Sequence, residues 1–108
     1  MKKYLFVFDS SETTGFSNKI QPFISNSRYI DQWSLVFSGL YFFKSSAEFK
    51  LLYDSLKDFF GETSILLCEI DPNDDTTSGY LPKGIWGWLR TDGALALGAA
   101  SSRGEQDL

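Results

Sequence analysis

The chain has 108 residues, 43% of them hydrophobic and 17% aromatic, with a formal net charge of −4. That length fits one domain, and the apolar content excludes a disordered chain. One cysteine and no histidine exclude an intramolecular disulfide, a Cys-based zinc site, and Ser-His-Asp or Cys-His catalysis.

Any chemistry must therefore come from Asp, Glu, Lys, Tyr, Ser or Cys68. Residues 91–108 carry Arg103 against Asp92, Glu105 and Asp107, a net of −2, which leaves about −2 for the first 90 residues. No Lys/Arg run marks a basic patch. Nucleic acid is disfavoured as a partner, because phosphate contacts need clustered cations.

Residues 4–8 (Tyr-Leu-Phe-Val-Phe) form an apolar run after Lys2 and Lys3. The run is too short for a signal sequence and stops at Asp9 without a small-residue cleavage site. It reads as a first strand buried on both faces. Residues 10–15 are a polar loop. Phe16, Ile20, Phe23 and Ile24 then fall on one helical stripe. Pro22 interrupts it, so the helix either kinks there or begins near Gln21.

Residues 29–37 alternate, with Trp33, Leu35 and Phe37 on one side and Gln32, Ser34 and Val36 on the other. Ser38-Gly39 is a turn candidate, and residues 40–44 return as a third strand, making a hairpin. Ser45-x-x-Glu48 has the pattern of a capping box. Phe49, Leu52, Tyr53, Leu56 and Phe59/Phe60 follow at helical spacing until Gly61 stops the helix. Residues 64–70 form a fourth apolar strand. After a polar loop at 71–79, Pro82 opens a short helix whose apolar side is Ile85, Trp88 and Leu89, with Trp86 offset.

From Thr91 the composition turns to Gly, Ala and Ser. We expect a domain over 1–90 and a flexible or weakly structured tail over 91–108, in which 94–100 could form a marginal helix. A vector-derived or read-through tail would have this character. No stretch approaches a membrane span, so a cytoplasmic protein is expected.

The order β-α-β-β-α-β predicts an α+β, ferredoxin-like βαββαβ sandwich. It has an antiparallel sheet ordered 4-1-3-2, two helices on one face and an extra short C-terminal helix. The second face ought to be polar if it meets water. Here both faces of three strands are apolar: Tyr4, Phe6 and Phe8 oppose Leu5 and Val7, and Leu40 and Phe42 oppose Tyr41 and Phe43. Ile65 and Leu67 oppose Leu66, Cys68 and Ile70. Something must cover that face, and we expect the 80–89 segment to cover part and a second copy the rest. The expected interface residues are Leu5, Val7, Tyr41, Phe43, Trp86 and Trp88.

Asp9 is the candidate site residue. A carboxylate at the tip of a central strand suits metal or acid–base work. Alone it cannot hold Mg²⁺, but two copies across a dimer axis could. The other reading is a turn residue that binds its own loop amides. Asp71, Asp74 and Asp75 follow the fourth strand at the opposite edge of the sheet. They miss the spacing of a calcium loop and read as a solvated turn. Trp86, Trp88 and Tyr80 suit stacking on bases or, better, core and interface packing. Cys68 reads as a small hydrophobe.

Residues 4–9, 32–39 and 45–49 together resemble the Cas2/VapD-like group of small ferredoxin-like proteins. Tyr4 to Phe8 ending in Asp9 looks like the first strand with its metal-associated Asp. Gln32 to Gly39 looks like the second strand and turn, and Ser45 to Phe49 like the start of the second helix. The resemblance covers residues 4–70. It implies a homodimer, and in some members a metal-dependent endonuclease using paired Asp; others are nucleic-acid-binding scaffolds or toxin components.

This chain lacks basic residues just after Asp9 and has a Trp-bearing helix in place of a fifth strand. The function expected is a dimeric interaction or regulatory module without clear catalytic machinery, from a toxin–antitoxin, defence or mobile-element system. It needs no cofactor and has room for a protein partner. The alternative is an Mg²⁺-dependent endonuclease with Asp9 of each protomer at the axis. A third reading places a small apolar ligand beneath the 80–89 segment.

Overall fold

A computed structural model describes residues 1–74, 78–82 and 84–91. The elements run β1 (Lys2–Phe8), a 3₁₀ turn (Ser10–Glu12), α1 (Ser17–Asn26), β2 (Gln32–Phe37), β3 (Leu40–Ser45), α2 (Phe49–Phe60), β4 (Ile65–Ile70) and α3 (Ile85–Leu89). The strands form one antiparallel sheet in the order β2-β3-β1-β4. The result is a small α+β fold. Among the described residues no helix is long and apolar enough to cross a membrane. The expectations for Asp75, for a helix over 94–100 and for the tail beyond Thr91 lie outside the described residues.

Side-chain alternation along each strand divides the apolar residues between two faces. Tyr4, Phe6 and Phe8 of β1 share the first face with Trp33, Tyr41, Phe43 and Leu67. Helices α1 and α2 close over it with Ile20, Ile24, Leu52, Leu56 and Phe60. Aromatic rings fill this core: Phe6 lies 5.3 Å from both Phe43 and Phe60, and Phe23 stacks on Phe59 at 4.1 Å. Such pairs add to area burial because ring quadrupoles favour offset and edge geometries.

Two glycines shape the turns. Gly39 joins β2 to β3 with φ +84°, and a Cβ there would come within 2.7 Å of the Phe8 carbonyl oxygen. Only glycine lets the hairpin press this close to β1, where the Phe8 N–H donates to the Gly39 carbonyl at 3.0 Å. Gly61 ends α2 at φ +61°, its N–H donating to the Lys57 carbonyl.

Several local expectations are corrected by longer-range contacts. Helix α2 starts at Phe49 with Glu48 as its cap, so the Ser45–Glu48 capping box does not form. Ser45 remains in β3; its hydroxyl donates to the Tyr29 carbonyl and accepts from the Ala47 N–H. Helix α1 spans Ser17–Asn26 with Pro22 inside it, so it does not begin near Gln21. Pro22 is exposed, and its carbonyl accepts from the Asn26 side chain at 2.8 Å. Strand β2 begins at Gln32 rather than Tyr29, and α3 begins at Ile85, three residues after Pro82. A register shift between Leu35 and Phe37 sets Phe37 opposite Leu40 and so moves it to the second face, away from Trp33 and Leu35.

Candidate functional site

The second sheet face is half covered. At one end, α3 and residues 78–82 lie across it. Phe42, Ile85, Trp88 and Leu89 form a second buried cluster, flanked by Leu5, Leu40, Ile70, Leu81 and Trp86. Polar groups fasten this cover. The Trp88 indole N–H donates to Gln32 Oε1 at 3.0 Å in a buried site, and Lys44 Nζ sits 4.5 Å from the Trp88 ring centre. Lys44 Nζ also reaches Thr91 Oγ1 at 3.5 Å, so Thr91 belongs to the folded part. The Trp86 indole N–H donates to the Gly79 carbonyl, while Arg90 lies over the Trp86 ring and donates to the Pro72 carbonyl. A cavity of about 140 Å³ remains beneath this segment, lined by Leu5, Phe42, Ile70, Ser78, Gly79, Leu81 and Trp86.

The other end of the face is left open by the described residues. Pairing places Leu66, Val7, Leu40 and Phe37 in one row across all four strands. Phe37 is 60% exposed and Leu66 57% exposed, with Val7 and Leu40 half-buried between them. Cys68, next along β4 on this face, is also exposed.

The expected interface residues therefore divide. Tyr41 and Phe43 are corrected: they lie on the first face, 3% and 0% exposed, packed under the helices. The reason is register, since Leu5 pairs with Phe42 and Val7 with Leu40, giving those two residues the second face. Trp88, 2% exposed, is buried inside the chain's own cover. Leu5 and Trp86 are half-buried beside it, and Val7 alone belongs to the open row. Phe37, Leu40 and Leu66, which share the open row with Val7, were not among the expected residues. Their signal was parity with Val7 across the sheet, together with the bulge, which β2's alternation hides.

Asp9 is exposed and serves its own loop. It caps the 3₁₀ turn, with Oδ1 accepting from the Ser11 N–H at 3.0 Å and the Ser11 hydroxyl at 2.6 Å. Its N–H donates to the Ser64 carbonyl, and Glu12 Oε1 accepts from the Ser64 N–H, so the corner is tied to β4. Beside it lies a concavity of about 450 Å³ lined by Phe8, Ser10, Thr13, Ile20, Leu35 and Tyr41 among others. Among the described residues no Lys or Arg lines this concavity or the smaller one that includes Asp9. Burial pushes the Tyr41 hydroxyl up to about 12 and also raises that of Tyr4, with a smaller contribution from the charge of Glu69.

Among the described residues no group of three or more His, Cys, Asp or Glu side chains is placed to hold a metal ion. Asp71 and Asp74 stay at the opposite edge in their own turn, where Asp71 Oδ1 accepts from the Asn73 N–H and its carbonyl from the Asp74 N–H. No family model matches this chain, and neither a curated protein nor a solved structure matches it.

Proposed function

We propose that the chain is a ferredoxin-like, homodimeric interaction module that works by contact rather than by chemistry. The sheet order, with β1 and β3 central and two helices on one face, supports that fold reading. The observation that carries the functional reading is the open apolar row Phe37–Leu40–Val7–Leu66. Large apolar side chains left together on a sheet face mark a contact surface. The resemblance of residues 4–70 supports a homodimer serving a toxin–antitoxin, defence or mobile-element system.

The endonuclease reading has less behind it. It needs Asp9 free for Mg²⁺ and a cationic surface for phosphate. Asp9 Oδ1 is engaged by Ser11, and the adjacent concavities have no cationic side chain.

The test is solution mass by light scattering. The full chain is expected to be a dimer at about 100 μM, which needs an association free energy of roughly −5.5 kcal/mol or better. Leu66→Asp places a charge in the row without entering either core and shifts the population to monomer. A wild-type chain that stays monomeric at millimolar concentration refutes the homodimer.

A further inference from the structure

We infer that two copies join through the outer edge of β4, pairing antiparallel about Leu67 to make one continuous sheet. This inference rests on the homodimer reading and specifies its geometry.

The outer edge of β4, unpaired among the described residues, can be assigned atom by atom. In β1 the Phe8 N–H points to β3, donating to Gly39, and the Asp9 N–H points to β4, donating to Ser64. Alternation then directs the backbone groups of Val7, Leu5 and Lys3 to their partners Leu66, Cys68 and Ile70. The N–H and C=O groups of Ile65, Leu67 and Glu69 face outward. Strand β4 pairs only with β1, and no backbone bond from another described segment reaches those three residues.

The two sheet edges differ. The β2 edge carries the register shift at Leu35–Phe37, and such a bulge twists an edge away from pairing. Strand β4, Ile-Leu-Leu-Cys-Glu-Ile, has no proline, no lysine and no bulge, and its one charge is Glu69. It is also complementary to itself. A two-fold axis at Leu67 sets Leu67 opposite its copy and Ile65 opposite Glu69, forming about six N–H···O bonds. On the second face, Leu66 then meets Cys68 of the other copy. No like charges face each other.

Stacking the two second faces would use the exposed Phe37 and Leu66, 60% and 57% exposed, but would leave the outward backbone groups of β4 unpaired. Edge pairing draws on backbone groups instead, and it leaves the apolar row running across both protomers as a broader contact surface for a protein partner.

Glu69→Pro removes one outward N–H and leaves the backbone bonds to β1 in place, losing besides only the exposed 3.8 Å ion pair between Lys2 and Glu69. Light scattering at about 100 μM, with circular dichroism to verify folding, is expected to show dimers for wild type and Phe37→Asp and monomers for Glu69→Pro. If Glu69→Pro stays dimeric and Phe37→Asp dissociates, the edge assignment is overturned while the dimer stands. A wild type still monomeric at millimolar concentration overturns both. Should Glu69→Pro not fold, Leu66→Cys decides. The 66–68 pair has a Cα separation of about 4.5 Å across the axis, within disulfide range. Diamide oxidation should therefore give a covalent dimer on a non-reducing gel, and its absence overturns the edge pairing.

Discussion

Replacing Trp88 with alanine asks whether α3 is part of the fold. The side chain is 2% exposed, so nearly all of its roughly 250 Å² is withdrawn from water. At about 25 cal/mol/Å² this is worth up to about 6 kcal/mol, an upper bound because the unfolded chain already hides some surface. Measured truncations of buried Phe and Trp cost about 3–5 kcal/mol. The Lys44 contact and the bond to Gln32 add to that, although water entering the vacated space restores part of the Gln32 bond. We expect a loss of about 4–5 kcal/mol, against a total of about 5–15 kcal/mol for a domain of this size. Trp88→Phe keeps most of the ring and loses the indole N–H, and should cost about 1–2 kcal/mol. Urea titration followed by far-ultraviolet circular dichroism measures both. A Trp88→Ala loss below about 1 kcal/mol would refute the reasoning, because α3 would then contribute no more than a surface contact.

Two further outcomes follow from the site. Asp9→Ala removes the cap of the 3₁₀ turn and should cost about 1 kcal/mol in urea titration while leaving the solution mass unchanged. If it abolished a magnesium-dependent cleavage with the fold intact, the contact-only reading would fail. Tyr41 carries a raised folded-state value of about 12 against 10 for an unperturbed phenol. Its protonated form is the one favoured by folding, so that stability is fully present below pH 10 and lost as pH rises through 12. The loss is about 2–3 kcal/mol at the alkaline end, and Tyr41→Phe should flatten the profile by that amount.

Much of the framework was legible in the residues because local periodicity and burial coincide there. Tyr4 to Phe8, the hairpin around Gly39, the stripe Phe49 to Phe60 and the run to Ile70 each form the element expected, within a few residues at the ends. The split between Leu5/Val7 and Tyr4/Phe6/Phe8 was equally visible, since strand side chains alternate whatever they face. The Ser45–Glu48 pattern failed for a reason outside the pattern: the Ser45 hydroxyl is taken by the Tyr29 carbonyl and the Ala47 amide.

What the residues determined by themselves was a sheet with two apolar faces, a shortage of catalytic side chains, and an Asp at the end of its central strand. Tertiary structure decided which residues share a face, because register is set by pairing between strands far apart in sequence. That pairing put Tyr41 and Phe43 under the helices, brought Phe42 beneath Trp88, and turned Phe37 to the open face through a bulge. It also fixed the surroundings of Asp9: Oδ1 accepts from the amide and hydroxyl of Ser11 within its own turn, and the corner is tied to β4 through Ser64.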